Sequence, residues 1–181
     1  MTFTFLRAQG LSTGKSLVEE DRIALAKEIL TLPEAGKKLL LPRDCVVSAD
    51  TGGRDLGHAV PVDRIPAGLI GVDIGPRTVE AIEEALADSR TVFWNGPMGI
   101  FEVPAYAQGT VATAKAVALA TARGAFTVVG GGDSLAAIHQ AGLELEVSHL
   151  STGGGASLEF LEGRILPGVA ALESTAKAGT P

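Results

Sequence analysis

The sequence predicts an α/β fold in which helices cover both faces of a mainly parallel β-sheet. Strand and helix patterns alternate along its second half, and each strand there runs into a glycine-rich loop. The strands are short, uninterrupted apolar runs, which is typical of a parallel sheet buried on both sides. We predict strands at residues 91–94, 126–129 and 147–150, and helices at residues 107–122, 134–140 and 156–161.

The first half gives weaker signals. Ser16 and Glu19 have the spacing of a helix capping box, and an apolar face follows, so a helix is predicted from there to Leu30. A further helix is predicted at residues 78–87. Strands are expected at residues 38–41 and 45–48, while residues 50–68 are rich in Gly, Pro and Asp and predict an irregular surface segment. No linker divides the chain, so one domain is expected.

Composition narrows the classes of function. With 181 residues, 46% of them hydrophobic, the chain can bury a core and is not of the disordered type. Its net charge is −6 and its arginines are scattered singly along the sequence, which argues against a nucleic-acid partner. The Glu83–Glu84 pair is interpreted as a solvated helix face.

Other features bear on location. The lone cysteine, Cys45, excludes an intramolecular disulfide, fits a reducing compartment and is expected to be buried. No apolar run reaches the roughly 18 residues of a membrane span, so no membrane partner is expected. Residues 1–7 lack the pattern of a signal peptide. These observations favour a cytoplasmic protein.

The chain contains 23 glycines, and the glycine-rich loops are expected at one edge of the sheet. Loops that follow parallel strands open at the carboxyl edge of the sheet, where ligands of such folds bind. At residues 130–134 (GGGDS), glycines would let the backbone approach a polyphosphate at a helix start, and Asp133 could hold Mg²⁺. The alternative is that Asp133 or Ser134 merely caps the helix.

Several familiar motifs are absent or incomplete. Residues 14–16 (GKS) resemble the end of a phosphate-binding loop, but Gln9 stands where its first glycine belongs, so a turn and helix cap is favoured. A dinucleotide fingerprint fails because Leu135 and Leu158 occupy its third glycine position. The histidines lack metal-ligand spacing, and His149 is expected to be a packed or hydrogen-bonded core residue.

Five segments occur in a specific order: residues 71–76 (GVDIGP), 94–102 (WNGPMGIFE), 130–134, 148–163 (SHLSTGGGASLEFLEG) and 166–172 (LPGVAAL). Together they resemble the carboxyl-terminal half of the phosphoglycerate kinase family. That family transfers a phosphoryl group reversibly between 1,3-bisphosphoglycerate and ADP, giving 3-phosphoglycerate and Mg-ATP in glycolysis. The resemblance implies that residues 1–181 are the ATP/ADP-binding lobe of a two-lobed kinase.

The resemblance also implies roles for single residues. The nucleotide-binding positions would be Gly71, Asn95, Gly96, Glu102, Gly131, Gly132, Asp133 and Ser134. Among them, Gly71 would line the adenine pocket, Glu102 would bind the ribose, and Asp133 would be the carboxylate on the metal side. Gly153, Gly154 and Gly155 would offer N–H groups to the phosphoryl group during its transfer.

The chain departs from the family pattern by what is missing before Met1. Family members carry a Gly-Gly-Gly-Met turn, a Gly-Gly-Ala-Lys segment whose lysines touch the nucleotide phosphates, and a substrate lobe with an arginine-rich pocket. The resemblance therefore implies a Rossmann-like three-layer αβα domain without its first strands, in which Phe3 and Phe5 belong to a helix. We expect 3-phosphoglycerate to bind only with a substrate lobe, and the chain alone to be inactive.

Two alternatives stay open beside the kinase interpretation. The chain could bind Mg-ADP without chemistry, or it could serve as a structural or interaction module. Full-length family members are usually monomeric, and removal of central strands is expected to expose apolar sheet surface.

Overall fold

A computed structural model describes the backbone of residues 1–178 and the side chains of residues 1–172; residues 179–181 of the predicted domain lie outside this part. The chain begins with helices α1 (Thr2–Ala8), α2 (Ile23–Thr31) and α3 (Ala35–Lys38). An antiparallel sheet follows, built of β1 (Asp44–Ser48), β2 (His58–Pro61) and β3 (Ile70–Ile74) in the order β2-β1-β3.

The second half contains the parallel sheet that the sequence predicts. Strands β4 (Thr91–Asn95), β5 (Phe126–Gly130) and β6 (His149–Ser151) pair in the order β4-β5-β6. Its helices are α4 (Pro76–Ala87), α5 (Gln108–Ala122), α6 (Gly132–Gln140), α7 (Gly154–Leu161) and α8 (Pro167–Ala178). The predicted α/β class is therefore confirmed, and the three strands and helices α4 to α7 begin within about two residues of their expected positions, whereas α8 was not predicted.

Helix α5 positions the parallel sheet. Its buried face is built of small side chains, among them Ala114, Val117 and Ala120, and these pack with Val92 and Val129 of the strands. Small residues let the helix approach the sheet closely. This packing sets the position of the strands and of the loops that leave their ends.

The antiparallel sheet was not predicted. β2 lies inside the segment expected to be irregular, and both His58 and Ala59 in it are exposed, which leaves no alternating apolar pattern. β3 contains a glycine and an aspartate, Gly71 and Asp73, which a strand pattern does not favour. Both segments become strands because β1 offers a hydrogen-bonding edge on each side.

Two local predictions in the first half are wrong. Residues 38–41 were expected to be a strand, but α3 ends at Lys38 and the following residues are unpaired, since no neighbouring strand lies beside them in the described chain. The capping box also fails: α2 begins at Ile23, and the Ser16 hydroxyl accepts a hydrogen bond from the Gly71 N–H (2.9 Å). Ser16 therefore joins the amino-terminal segment to β3.

Among the predictions for single residues, most are confirmed and one is wrong. Phe3 and Phe5 lie on helix α1, and Glu83 and Glu84 are exposed, as predicted. Cys45 is buried, and burial together with the nearby Asp44 charge raises the pKa of its thiol to about 11. The prediction for His149 is wrong, because this residue lies exposed on β6, at the edge of the sheet.

One face of the parallel sheet is open. Side chains of β4 and β5 that point away from α5, including Phe93 and Val128, line an apolar cavity of about 550 Å³ together with Phe160 and Val169. Phe160 is 64% exposed. The expectation that the sheet is buried on both sides therefore holds for one side only. Within the described residues, β4 also has a hydrogen-bonded neighbour on one edge alone.

No helix in the described part of the chain is both long and apolar enough to cross a membrane.

Candidate functional site at the carboxyl edge of the parallel sheet

The three parallel strands end side by side. Asn95 at the end of β4 is in register with Gly130 of β5, and Gly130 is in register with Ser151 of β6. The three loops that follow therefore start next to one another, at the edge where the sequence predicts a ligand site.

The loops meet in a contact that only glycine permits. A Cβ atom added to Gly154 would lie 2.7 Å from the Cα and 2.8 Å from the nitrogen of Gly131, and 3.0 Å from Oδ1 of Asn95. Gly131 itself has φ +91°, and a Cβ there would lie 2.7 Å from the same Asn95 oxygen. We call Asn95, Gly131 and Gly154 the glycine junction. It brings the β5–α6 and β6–α7 connections into backbone contact.

Two helix N-termini lie at this junction. Helix α6 begins at Gly132 and α7 begins at Gly154. The N–H groups of Gly132, Asp133 and Ser134, and those of Gly154 and Gly155, have no hydrogen-bond partner within the described residues. Helix N-termini carry partial positive charge and unpaired donors, so two adjacent ones favour an anion such as a phosphate group.

The N–H group of Gly131, which was expected to face the phosphates, is not free for a ligand. This N–H donates to the Ser151 carbonyl (3.0 Å), so the group is already bonded within the protein. The residue serves the site through its positive φ and its missing side chain, which allow α6 to start beside α7.

The first turn of α6 also holds the β4–α5 loop. The buried Ser134 hydroxyl accepts a hydrogen bond from the Gly96 N–H, so this side chain positions the loop that follows Asn95. The alternative that Ser134 or Asp133 caps the helix is wrong, because Gly131 occupies the cap position and no side-chain cap bond forms. Asp133 is exposed in the first turn, where a carboxylate is favoured by the helix dipole.

Asp133 is the carboxylate in the first turns of the two helices, α6 and α7. No group of three or more His, Cys, Asp or Glu side chains gathers into a metal site in the part of the chain that the structure describes. Mg²⁺, however, is commonly held by one or two carboxylates while phosphate oxygens and water complete its coordination. A single exposed carboxylate beside two unpaired helix N-termini suits that arrangement.

Gly71 and Glu102 are not part of the junction: Glu102 lies on the β4–α5 loop, and Gly71 lies on β3. The loop returns over β3, where the Ile100 N–H donates to the Val72 carbonyl (2.9 Å). Gly71, Gly99 and the ring of Phe3 line a cavity of about 170 Å³ there, and a Cβ on Gly71 would collide with that ring. Glu102 is exposed.

Asp73 is a functional candidate that sequence reasoning missed. It is 5% exposed and accepts hydrogen bonds from the N–H groups of Gly109 (2.7 Å) and Ile74 (2.8 Å). Burial outweighs these bonds and raises its pKa to about 6. Gly99 packs directly against the carboxyl group, so Asp73 joins β3, the β4–α5 loop and the start of α5. A charged residue between Val72 and Ile74 was the available signal.

Comparison with known proteins shows which family the chain is similar to. The sequence model of the family described as "Phosphoglycerate kinase" matches residues 1–164. A phosphoglycerate kinase of Chlorobaculum tepidum is 54% identical over 173 residues, which cover 95% of this chain and 44% of that protein. A chloroplastic phosphoglycerate kinase of Volvox carteri is 53% identical, with 96% of this chain and 38% of that protein covered.

Solved structures agree. Phosphoglycerate kinase from Coxiella burnetii superimposes with a TM-score of 0.87 at 40% identity, covering 97% of this chain and 44% of that one. The enzyme from Pyrococcus horikoshii gives 0.80 at 32% identity with the same coverage. The chain thus spans less than half the length of these relatives.

The glycine junction makes a prediction about stability. We expect Gly154→Ala to lower the free energy of unfolding by about 1–3 kcal/mol, because its methyl group overlaps backbone atoms of Gly131 that have little freedom to move. Gly155→Ala is the matched control: no atom lies within 4 Å of its added Cβ, and alanine favours the helix by up to about 1 kcal/mol. Urea unfolding measures both, and equal stabilities would contradict the junction.

The raised pKa of Asp73 predicts that the free energy of unfolding depends on pH. Its folded-state pKa, about 6, lies above the ordinary 3.8, so the folded protein binds this proton more tightly than the unfolded chain does. The associated stability is complete below about pH 4 and is lost as the pH rises through 6, by about 3 kcal/mol in total. In Asp73→Asn this loss should disappear from unfolding free energies measured between pH 4 and 7.5. Asp88→Asn, which removes an exposed carboxylate, should retain the wild-type profile.

Proposed function

The chain belongs to the phosphoglycerate kinase family, and on that premise we propose that residues 1–181 form the carboxyl-terminal, nucleotide-binding half of such a kinase. The reaction would be reversible phosphoryl transfer between 1,3-bisphosphoglycerate and ADP, which gives 3-phosphoglycerate and ATP in glycolysis. The observation that carries this proposal is the glycine junction, because it sets the N-termini of α6 and α7 side by side at the carboxyl edge of the sheet.

The nucleotide phosphates would bind at these two helix starts. The unpaired N–H groups of residues 132–134 are the donors on α6, while Asn95, Gly96 and Gly131 shape the wall beside them. Asp133 would hold Mg²⁺ jointly with the phosphate oxygens, and the ion would neutralise part of the negative charge of the phosphates. Ser134 keeps the wall in place through its bond to the Gly96 N–H.

The nucleoside would extend along the β4–α5 loop toward β3. In this proposal the cavity beside Gly71 receives the adenine, and the exposed Glu102 carboxylate accepts hydrogen bonds from ribose hydroxyls. Because the loop is fixed to β3 through Ile100 and to α6 through Gly96, both subsites keep a constant distance from the phosphates. Asp73 would act as a positioning residue, because its carboxyl group lies against Gly99 of the same loop and accepts a hydrogen bond from Gly109 at the start of α5.

Catalysis by this half would consist of positioning and fixed dipoles. A phosphoryl group in transfer carries negative charge spread over its oxygens, and oriented N–H groups stabilise such charge without reorganising. Gly153, Gly154 and Gly155 would supply these groups at the start of α7. Glycine suits the role because it leaves the N–H groups uncovered.

The acceptor site would lie on the part of the family chain that this sequence does not contain. The relatives are more than twice as long as the matched region. In this proposal, that part would cover the open apolar face beside Phe93 and Phe160 and the edge of β4 that has no strand partner within the described residues. We also propose a reducing compartment such as the cytoplasm, on the basis of Cys45, which is buried and free.

Nucleotide binding is the first test of this proposal. Calorimetric titration of the 181-residue chain with ADP plus Mg²⁺ should show saturable binding. We expect Asp133→Ala to weaken Mg-ADP binding about ten- to a hundredfold, the effect of losing one charge-assisted contact, and to change metal-free ADP binding far less.

Asp88→Ala, at the exposed end of α4, is the matched control and should bind like the wild type. If neither form of ADP binds, the nucleotide assignment fails and the alternative of an interaction module is favoured. If Asp133→Ala weakens ADP binding equally with and without Mg²⁺, Asp133 does not act by holding the metal.

Turnover is the second test. The chain alone should form no ATP from 1,3-bisphosphoglycerate and ADP above background in a coupled assay, because it lacks the acceptor site and the lobe closure that excludes water. Addition of the separately purified amino-terminal half of a full-length relative should restore measurable activity if the open face packs against it. Turnover by the chain alone would contradict the proposal that the acceptor site lies on the other half of the kinase. Binding without turnover under every condition would favour the nucleotide-binding fragment without catalysis.

A further inference from the structure

A basic pocket lies outside the proposed nucleotide site. Three arginines, Arg43, Arg64 and Arg77, line one concave cavity of about 450 Å³, together with Pro61, Val62 and Asp63. The three arginines are scattered in the sequence and come from separate segments that converge beside the antiparallel sheet. None of the lining residues belongs to the glycine junction or to the β4–α5 loop. We call this cavity the arginine pocket.

A buried hydrogen-bond network fixes two of the arginines. The Asp44 carboxylate accepts hydrogen bonds from the N–H groups of Thr78 (2.8 Å) and Arg77 (3.1 Å), and the Thr78 hydroxyl accepts one from the Arg43 N–H (3.0 Å). Asp44 and Thr78 are 4% and 3% exposed. The backbones of Arg43 and Arg77 are therefore held beside each other, although 33 residues separate Asp44 from Arg77.

Sheet pairing places the third arginine. Asp44 of β1 is in register with Pro61 of β2, and the Val62 N–H donates to the Arg43 carbonyl (3.2 Å). A 3₁₀ helix, Val62–Arg64, starts at this bond and directs Arg64 to the same cavity. The pocket is thus formed by secondary structure and not by a mobile surface loop.

The side chains that line the pocket carry a net positive charge, because three arginines stand against Asp63 alone. Two further carboxylates lie near the lining: Glu84, 4.0 Å from the Arg43 guanidinium, and the buried Asp44, which is bonded to the N–H groups of Arg77 and Thr78. Arg64 and Arg77 form no ion pair with any described residue. Two guanidinium groups therefore remain available to a ligand in a protein whose net charge is −6.

We propose that the arginine pocket binds a small oxyanion of the phosphate type carrying two or more negative charges. The guanidinium fork matches two phosphate oxygens at once, which makes arginine better suited than lysine to such a ligand. Cations from three segments converge on one concavity, so a compact anion can contact all of them. The site is independent of the nucleotide-binding proposal.

Amide resonances of the ¹⁵N-labelled 181-residue chain can test the pocket. Inorganic phosphate and pyrophosphate are the probes, titrated at constant ionic strength with chloride as the balancing anion. The amides of Arg43, Arg64 and Arg77 should shift together and saturate in the millimolar range or below. Tighter binding of pyrophosphate would indicate a diphosphate-bearing ligand, and equal binding would indicate a single phosphate group; both support the site.

Variants separate the pocket from the helix N-termini. Arg64→Gln combined with Arg77→Gln should weaken the anion response at least tenfold, while Arg64→Lys with Arg77→Lys should keep part of it because charge is retained without the fork. Arg90→Gln, which removes an exposed arginine elsewhere, should change nothing. The proposal is overturned if the pocket amides shift linearly without saturation, if only amides of residues 132–134 and 154–155 respond, or if the double Gln variant binds like the wild type. Circular dichroism confirms that each variant is folded.

Discussion

The close approach of Gly131 to Gly154 is the constraint on which the functional edge of this protein depends. Backbone atoms of two connections meet where any Cβ would overlap, and Asn95 closes the contact from the third strand. Because β4, β5 and β6 are parallel and in register, their ends lie at one level, so the contact also fixes the two helices that follow. Local backbone chemistry at two glycines thus determines where two helix dipoles point.

Buried carboxylates extend this rigidity to the antiparallel half. Asp73 links β3 to the start of α5, and Asp44 links β1 to the start of α4. Each accepts backbone N–H groups at or near a helix start, which compensates for the loss of hydration on burial. The two sheets share no strand pairing in the part of the chain that the structure describes, and they are joined through helices whose ends these side chains hold.

The parallel half could be predicted from the sequence because its information is local. Short apolar strands such as 126–130 are followed at once by glycines, and each unit repeats the pattern. The antiparallel half could not, because β3 and β2 become strands only beside β1, and the roles of Ser16 and Asp73 depend on partners 55 and 36 residues away. The convergence of Arg43, Arg64 and Arg77 has the same cause. Fold class and loop chemistry are encoded in neighbouring residues, whereas long-range hydrogen bonds are not.

One edge of β4 has no strand partner within the described residues, and this has a consequence for handling the molecule. A strand with unpaired N–H and C=O groups is a template on which another extended chain can add, and the apolar side chains of Phe93 and Val128 beside it would be covered in the process. At high concentration or during refolding, the chain is therefore prone to ordered strand addition between copies. Low protein concentration and a small excess of a soluble strand-forming peptide that caps the edge would be the practical remedies.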